Sequence, residues 1–117
     1  MIVKNFKGEG GNKMKRVIGG KVYNTETAEE IYHWDNDCFS NDFRYVSETL
    51  YRSPKGQLFI HGKGGAMSKY SESCGSNSTC GSSKISLVEI ADVEEWLEEK
   101  DAPPEAFEKA GVVIEEG

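Results

Sequence analysis

The segment that most constrains the fold runs Ser47-Glu48-Thr49-Leu50-Tyr51-Arg52, then Ser53-Pro54-Lys55-Gly56, then Gln57-Leu58-Phe59-Ile60-His61-Gly62. Its outer runs are rich in β-branched, aromatic and aliphatic residues, which suit a pleated, half-buried surface. Between them Pro54 presets the φ of a turn's second residue, and Gly56 can take a positive φ. The spacing predicts an antiparallel hairpin. A hairpin alone is marginal in water and needs further strands or a covering helix, so the rest of the chain is read for what pairs with it and what covers it.

Val17-Ile18 and Lys21-Val22-Tyr23 flank Gly19-Gly20, a two-residue hairpin signal. Thr25 opens a stretch with only a weak signal for a helical turn, because Ala28 stands where a capping box needs Glu or Gln. Ile31-Tyr32-His33-Trp34 reads as a strand ended by Asp35-Asn36-Asp37, and Lys84–Ile90 reads as another. Between them, residues 62–83 are glycine- and serine-rich, which predicts irregular backbone with a short helix at Ala66–Ser73. Asp92 is expected to cap a helix whose Val93, Trp96 and Leu97 form one apolar stripe at i, i+3 and i+4. Pro103 and Pro104 stop it, and Glu105–Ala110 makes a last short helix ended by Gly111. The expected class is α+β, a small antiparallel sheet with helices packed on one face.

A length of 117 residues suits one modest core. The expected organisation is a flexible N-terminal extension over 1–14, a single α+β domain over 15–111 and a C-terminal tail over 112–117. No apolar run approaches the roughly 18 residues that suggest a membrane span, and the first residues lack the apolar core of a secretory signal. A cytoplasmic location with no membrane partner is therefore expected. Three cysteines, Cys38, Cys74 and Cys80, cannot all pair with one another, and in a reducing compartment they are expected as thiols. A Cys74–Cys80 bridge closing a short loop is the sterically allowed alternative.

The net charge of −6 conceals a polarity along the chain. Residues 1–21 carry six basic and one acidic side chain, whereas residues 88–117 carry two basic and eleven acidic. With Val93, Trp96 and Leu97 turned to the core, Glu94, Glu95, Glu98, Glu99 and Asp101 are left to solvent. Like charges at i,i+4 each cost a few tenths of a kcal/mol, so helix stability does not explain them. Such a face offers a negative surface to a basic groove, including one built for nucleic acid. A purely solubilising face is the competing reading. Aromatics interleaved with Arg44, Arg52, Lys63 and Lys69 offer a second surface, from which Arg52, Lys63 and Tyr70 are taken as secondary binding residues.

Catalytic signals are weak. His61-Gly62-Lys63-Gly64-Gly65 reads as a glycine-rich turn after a strand, but the chain lacks the phosphate-binding Gly-x-x-x-x-Gly-Lys-Ser/Thr string. Five residues separate Cys74 from Cys80, outside the usual zinc-ligand spacing. A calcium loop starting at Asp35 fails at Phe39 and Ser40, where an oxygen ligand and a glycine are needed. Nothing marks a cysteine activated by a histidine. No catalytic residue, metal or cofactor is expected, and no enzymatic activity.

Three strings carry a resemblance: Gly20-Lys21-Val22-Tyr23-Asn24-Thr25-Glu26-Thr27-Ala28, Glu48-Thr49-Leu50-Tyr51-Arg52, and Gly64-Gly65-Ala66-Met67-Ser68-Lys69-Tyr70. Together with Glu95-Trp96-Leu97-Glu98 they resemble small proteins of phages and mobile elements of Gram-positive bacteria, over Met14 to Asp101. Some similar small proteins are anti-CRISPR inhibitors. The resemblance implies a binding protein in the host bacterial cell that inhibits a host protein such as a CRISPR effector nuclease, and it carries over no catalytic residue. The alternative is a small nucleic-acid-binding accessory protein of a mobile element.

Overall fold

The computed structural model describes residues 14–39 and 41–117. Apart from Met14, the expected N-terminal extension lies outside the described residues, as does Ser40 of the calcium-loop reading. Three sheets and two helices make up the described chain, an α+β fold in which strands dominate.

β1 (Lys15–Ile18) and β2 (Lys21–Asn24) form the predicted hairpin. Gly19 and Gly20 take φ of 59° and 82°, the double positive φ of a tight hairpin turn. The main sheet is antiparallel, in the order β3 (Glu29–Asp35), β4 (Val46–Arg52), β5 (Leu58–Gly64), β8 (Ser82–Leu87). Its centre is the β4–β5 hairpin, turned at Ser53–Gly56 with Gly56 at φ 96°, as Pro54 and Gly56 predict. A separate small hairpin, β6 (Glu72–Gly75) and β7 (Ser78–Cys80), projects between β5 and β8 with every residue exposed.

Alternation along β4 and β5 divides the core into two layers. On one face Ile31, Leu50 and Leu58 meet Val93, Trp96 and Leu97 of α1 (Ile90–Glu99) and Ala106 and Ala110 of α2 (Pro104–Ala110). On the other, Tyr51, Phe59 and Ile85 are covered by Tyr23 from the β1–β2 hairpin. There the Tyr51 and Phe59 rings stack at 5.3 Å, and Tyr23 meets Phe59 edge-on at 5.6 Å. Val112, assigned to the tail from sequence, is buried with the helix-side cluster.

Four local expectations are corrected. Asp92 is not the cap of α1: Glu89 holds that position, and Asp92 lies in the first turn, accepting the Glu89 backbone N–H at 3.0 Å as half of a capping box. No helix forms over Ala66–Ser73, where turns lead into β6. The segment His61–Gly64 is strand and not a turn. Cys74 and Cys80 are joined by a disulfide across β6 and β7, their Cα atoms 5.9 Å apart, and only Cys38 is a free thiol. The wholly exposed hairpin has no apolar burial to hold it, so this cross-link supplies what a core does elsewhere.

Candidate binding surface

The helix-side core contains one charged residue with almost no solvent access, Glu48, 2% exposed. Alternation in β4 puts it on the same face as Leu50, and the register sets Trp34 of β3 and Gly62 of β5 on either side of it. The missing side chain at Gly62 is filled by the Tyr70 ring, which a Cβ there would strike. The Tyr70 hydroxyl donates to Glu48 Oε2 at 2.6 Å, and the Trp96 indole N–H donates to Oε1 at 2.8 Å. Lys69 Nζ stands 2.8 Å from Oε2 and Lys100 Nζ 3.5 Å from Oε1. Lys100 also lies 3.8 Å over the Trp34 ring centroid.

A carboxylate has about four acceptor sites, and this one has a partner for each. Burial alone would raise its pKa. The donors Lys69, Trp96 and Tyr70 outweigh burial and hold it at about 2, against an ordinary 4.5. Tyr70 moves the other way, because burial and the adjacent carboxylate keep its hydroxyl protonated. A carboxylate so fully engaged and so weakly basic is a poor proton acceptor near neutrality. Its work is to fasten α1 and the β5–β6 loop to the sheet.

The acidic residues of α1 stand on the other side of that helix. Glu94, Glu95, Glu98, Glu99 and Asp101 are all exposed. Among the described residues none of the five takes part in an ion pair. The cation that ends the helix, Lys100, is turned inward to Glu48 and Trp34 with its side chain only 14% exposed, so it does not neutralise the outer face. The last turn of α1 has no basic residue, although the negative end of the helix dipole favours one. Asp101 adds a further cost by holding φ at 57°, a conformation that favours glycine. This face is charged against the interests of its own helix.

The secondary set is not brought together. Arg52 donates to Glu29 Oε1 at 3.1 Å and to the Lys109 carbonyl at 2.9 Å, tying β4 to β3 and α2. Tyr70 is half-buried against Glu48. Lys63 lies near the far end of β5 from Arg52, on the opposite sheet face. Arg44 pairs with Asp42 at 3.3 Å, so three of the four basic residues suggested for a nucleic-acid surface already face carboxylates. Sequence reasoning missed Glu48, Trp34 and Lys100. The period of two along β4 was the available signal, since it puts Glu48 on the inward face with Leu50.

Other polar groups give no metal centre: among the described residues no group of three or more His, Cys, Asp or Glu is placed to hold an ion. His33 sits between Thr49 Oγ1 at 2.8 Å and Asp35 Oδ2 at 3.3 Å on the hairpin side of the sheet. His61 stands in the same cross-strand row, where burial and then Lys63 lower its pKa to about 4 and keep it neutral. Among the described residues no helix is long and apolar enough to cross a membrane. No protein-family model, curated protein or solved structure matches the chain.

Proposed function

We propose that the protein works by binding, presenting the outer face of α1 to a basic surface on another macromolecule. The single observation that carries this reading is the set of exposed carboxylates left without cationic partners among the described residues while Lys100, the nearest cation in sequence, is held inward. Such a face attracts lysine- and arginine-lined grooves, and it competes with the phosphates that normally occupy them. The partner class we infer is a host defence nuclease of the CRISPR type, whose nucleic-acid channel the helix would block in an anti-CRISPR-like manner. The resemblance to small proteins of phages and mobile elements supports that class. In this reading the protein acts without catalysis or cofactor in the host cytoplasm.

The test is a pull-down of the tagged chain from a lysate carrying an active CRISPR system, repeated at low and high salt. The expected result is recovery of an effector nuclease at low salt and its loss at high salt, because added salt shortens the Debye length and weakens the attraction between exposed charges. An effector retained equally at both, or the recovery of no nuclease, would contradict the charge-blocking reading.

A further inference from the structure

On the side of the sheet away from the helices, the β1–β2 hairpin and the β4–β5 turn enclose an open cleft of about 580 Å³. That volume lies within the range of small-molecule sites. Val22 and Pro54, both exposed, give it apolar surface, Lys21 borders it from the hairpin, and Lys55 borders it from the turn. The chain has 20 acidic residues against 14 basic, yet among the described residues that line this cleft none is acidic. Neither Lys21 nor Lys55 is in an ion pair among the described residues. The Asn24 carboxamide oxygen already accepts the Glu26 N–H at 2.9 Å, so its N–H₂ is the group left for a ligand. Two lysines and an amide donor therefore border apolar surface, with no carboxylate among the described lining residues to neutralise them.

We propose that this cleft binds a small amphipathic anion. Its aromatic or aliphatic body lies against Val22 and Pro54, and its carboxylate or phosphate sits between Lys21 and Lys55. Such a ligand bridges the β1–β2 hairpin and the turn of the main sheet, two elements far apart in sequence. The site lies across the sheet from α1, so it is independent of the acidic face.

The test is an amide correlation NMR titration of the full chain with phenyl phosphate, with benzyl alcohol as its uncharged counterpart. Saturable shifts are expected at residues 21–27 and 55–57 for the phosphate, with benzyl alcohol at least about tenfold weaker. The double variant Lys21→Gln/Lys55→Gln should raise Kd for the phosphate by at least about tenfold while the rest of its spectrum is unchanged. No saturation at millimolar phenyl phosphate, an equal response to benzyl alcohol, or an unchanged Kd in the double variant would each overturn the proposal.

Discussion

On the sheet side of α1, Glu48 has a donor for each of its acceptor sites and almost no contact with solvent. On the outer side, Glu94, Glu95, Glu98 and Glu99 stand in solvent without a cationic partner among the described residues. One helix of ten residues separates the two groups of carboxylates. The inner acid is costly to bury and is retained through its partners, so its contribution is to the fold. The outer acids repel one another, and Glu98 and Glu99 in the last turn also oppose the helix dipole, so their contribution must be sought outside the fold.

The contrast breaks first at Glu48. Glu48→Ala leaves two ammonium groups, the Tyr70 hydroxyl and an indole N–H without their acceptor, and should cost about 3–5 kcal/mol of stability, read from the urea midpoint. A loss below about 1 kcal/mol would make the inner carboxylate as dispensable as a surface one.

Acid titration separates the faces of the sheet. Glu48 has a folded pKa near 2 against an ordinary 4.5, so its contribution is present above 4.5 and lost as pH falls toward 2. His61 has a folded pKa near 4 against 6.5. The unfolded chain therefore takes up that proton first, and stability falls between pH 6.5 and 4. Stability should decline in two stages on acidification, the lower one on the order of 3 kcal/mol. His61→Gln should remove the upper stage and Glu48→Gln the lower. A single stage unaffected by either variant would refute the assignment.

Two substitutions at the C-terminal end of α1 have smaller effects. Lys100→Met removes the cation over Trp34 and one partner of Glu48, and should cost about 1–2 kcal/mol by the same denaturation measurement. Asp101→Gly relieves the positive φ and should stabilise the chain by about 0.5–1 kcal/mol, even as it removes one charge from the outer face. Destabilisation by that change would mean that Asp101 serves the fold.

Much of this arrangement was legible in the residues, and the limits have physical causes. Pro54 and Gly56 announce the central hairpin because they restrict or extend φ locally, and Val93, Trp96 and Leu97 announce the inner face of α1 by spacing alone. The outer carboxylates follow by subtraction. Glu48 was harder to read because its donors lie 22 residues away at Tyr70 and 48 away at Trp96. Composition marks a glutamate as solvated, and only the tertiary contacts override that. The β6–β7 hairpin was obscured for a related reason. Its glycines and serines carry no strand propensity, and the Cys74–Cys80 link that pins them is a covalent fact that spacing permits without requiring.

In the function proposed, the outer face of α1 binds a basic nucleic-acid channel. That binding is tested most directly by measuring how far the wild-type chain and Glu94→Lys/Glu95→Lys/Glu98→Lys/Glu99→Lys displace nucleic acid from a CRISPR effector nuclease, with unfolding midpoints determined in parallel. Displacement by the wild type is expected, with its loss on charge reversal in a chain at least as stable as the wild type, since lysines in the last turn suit the helix dipole. Equal displacement by both chains would contradict the proposed binding.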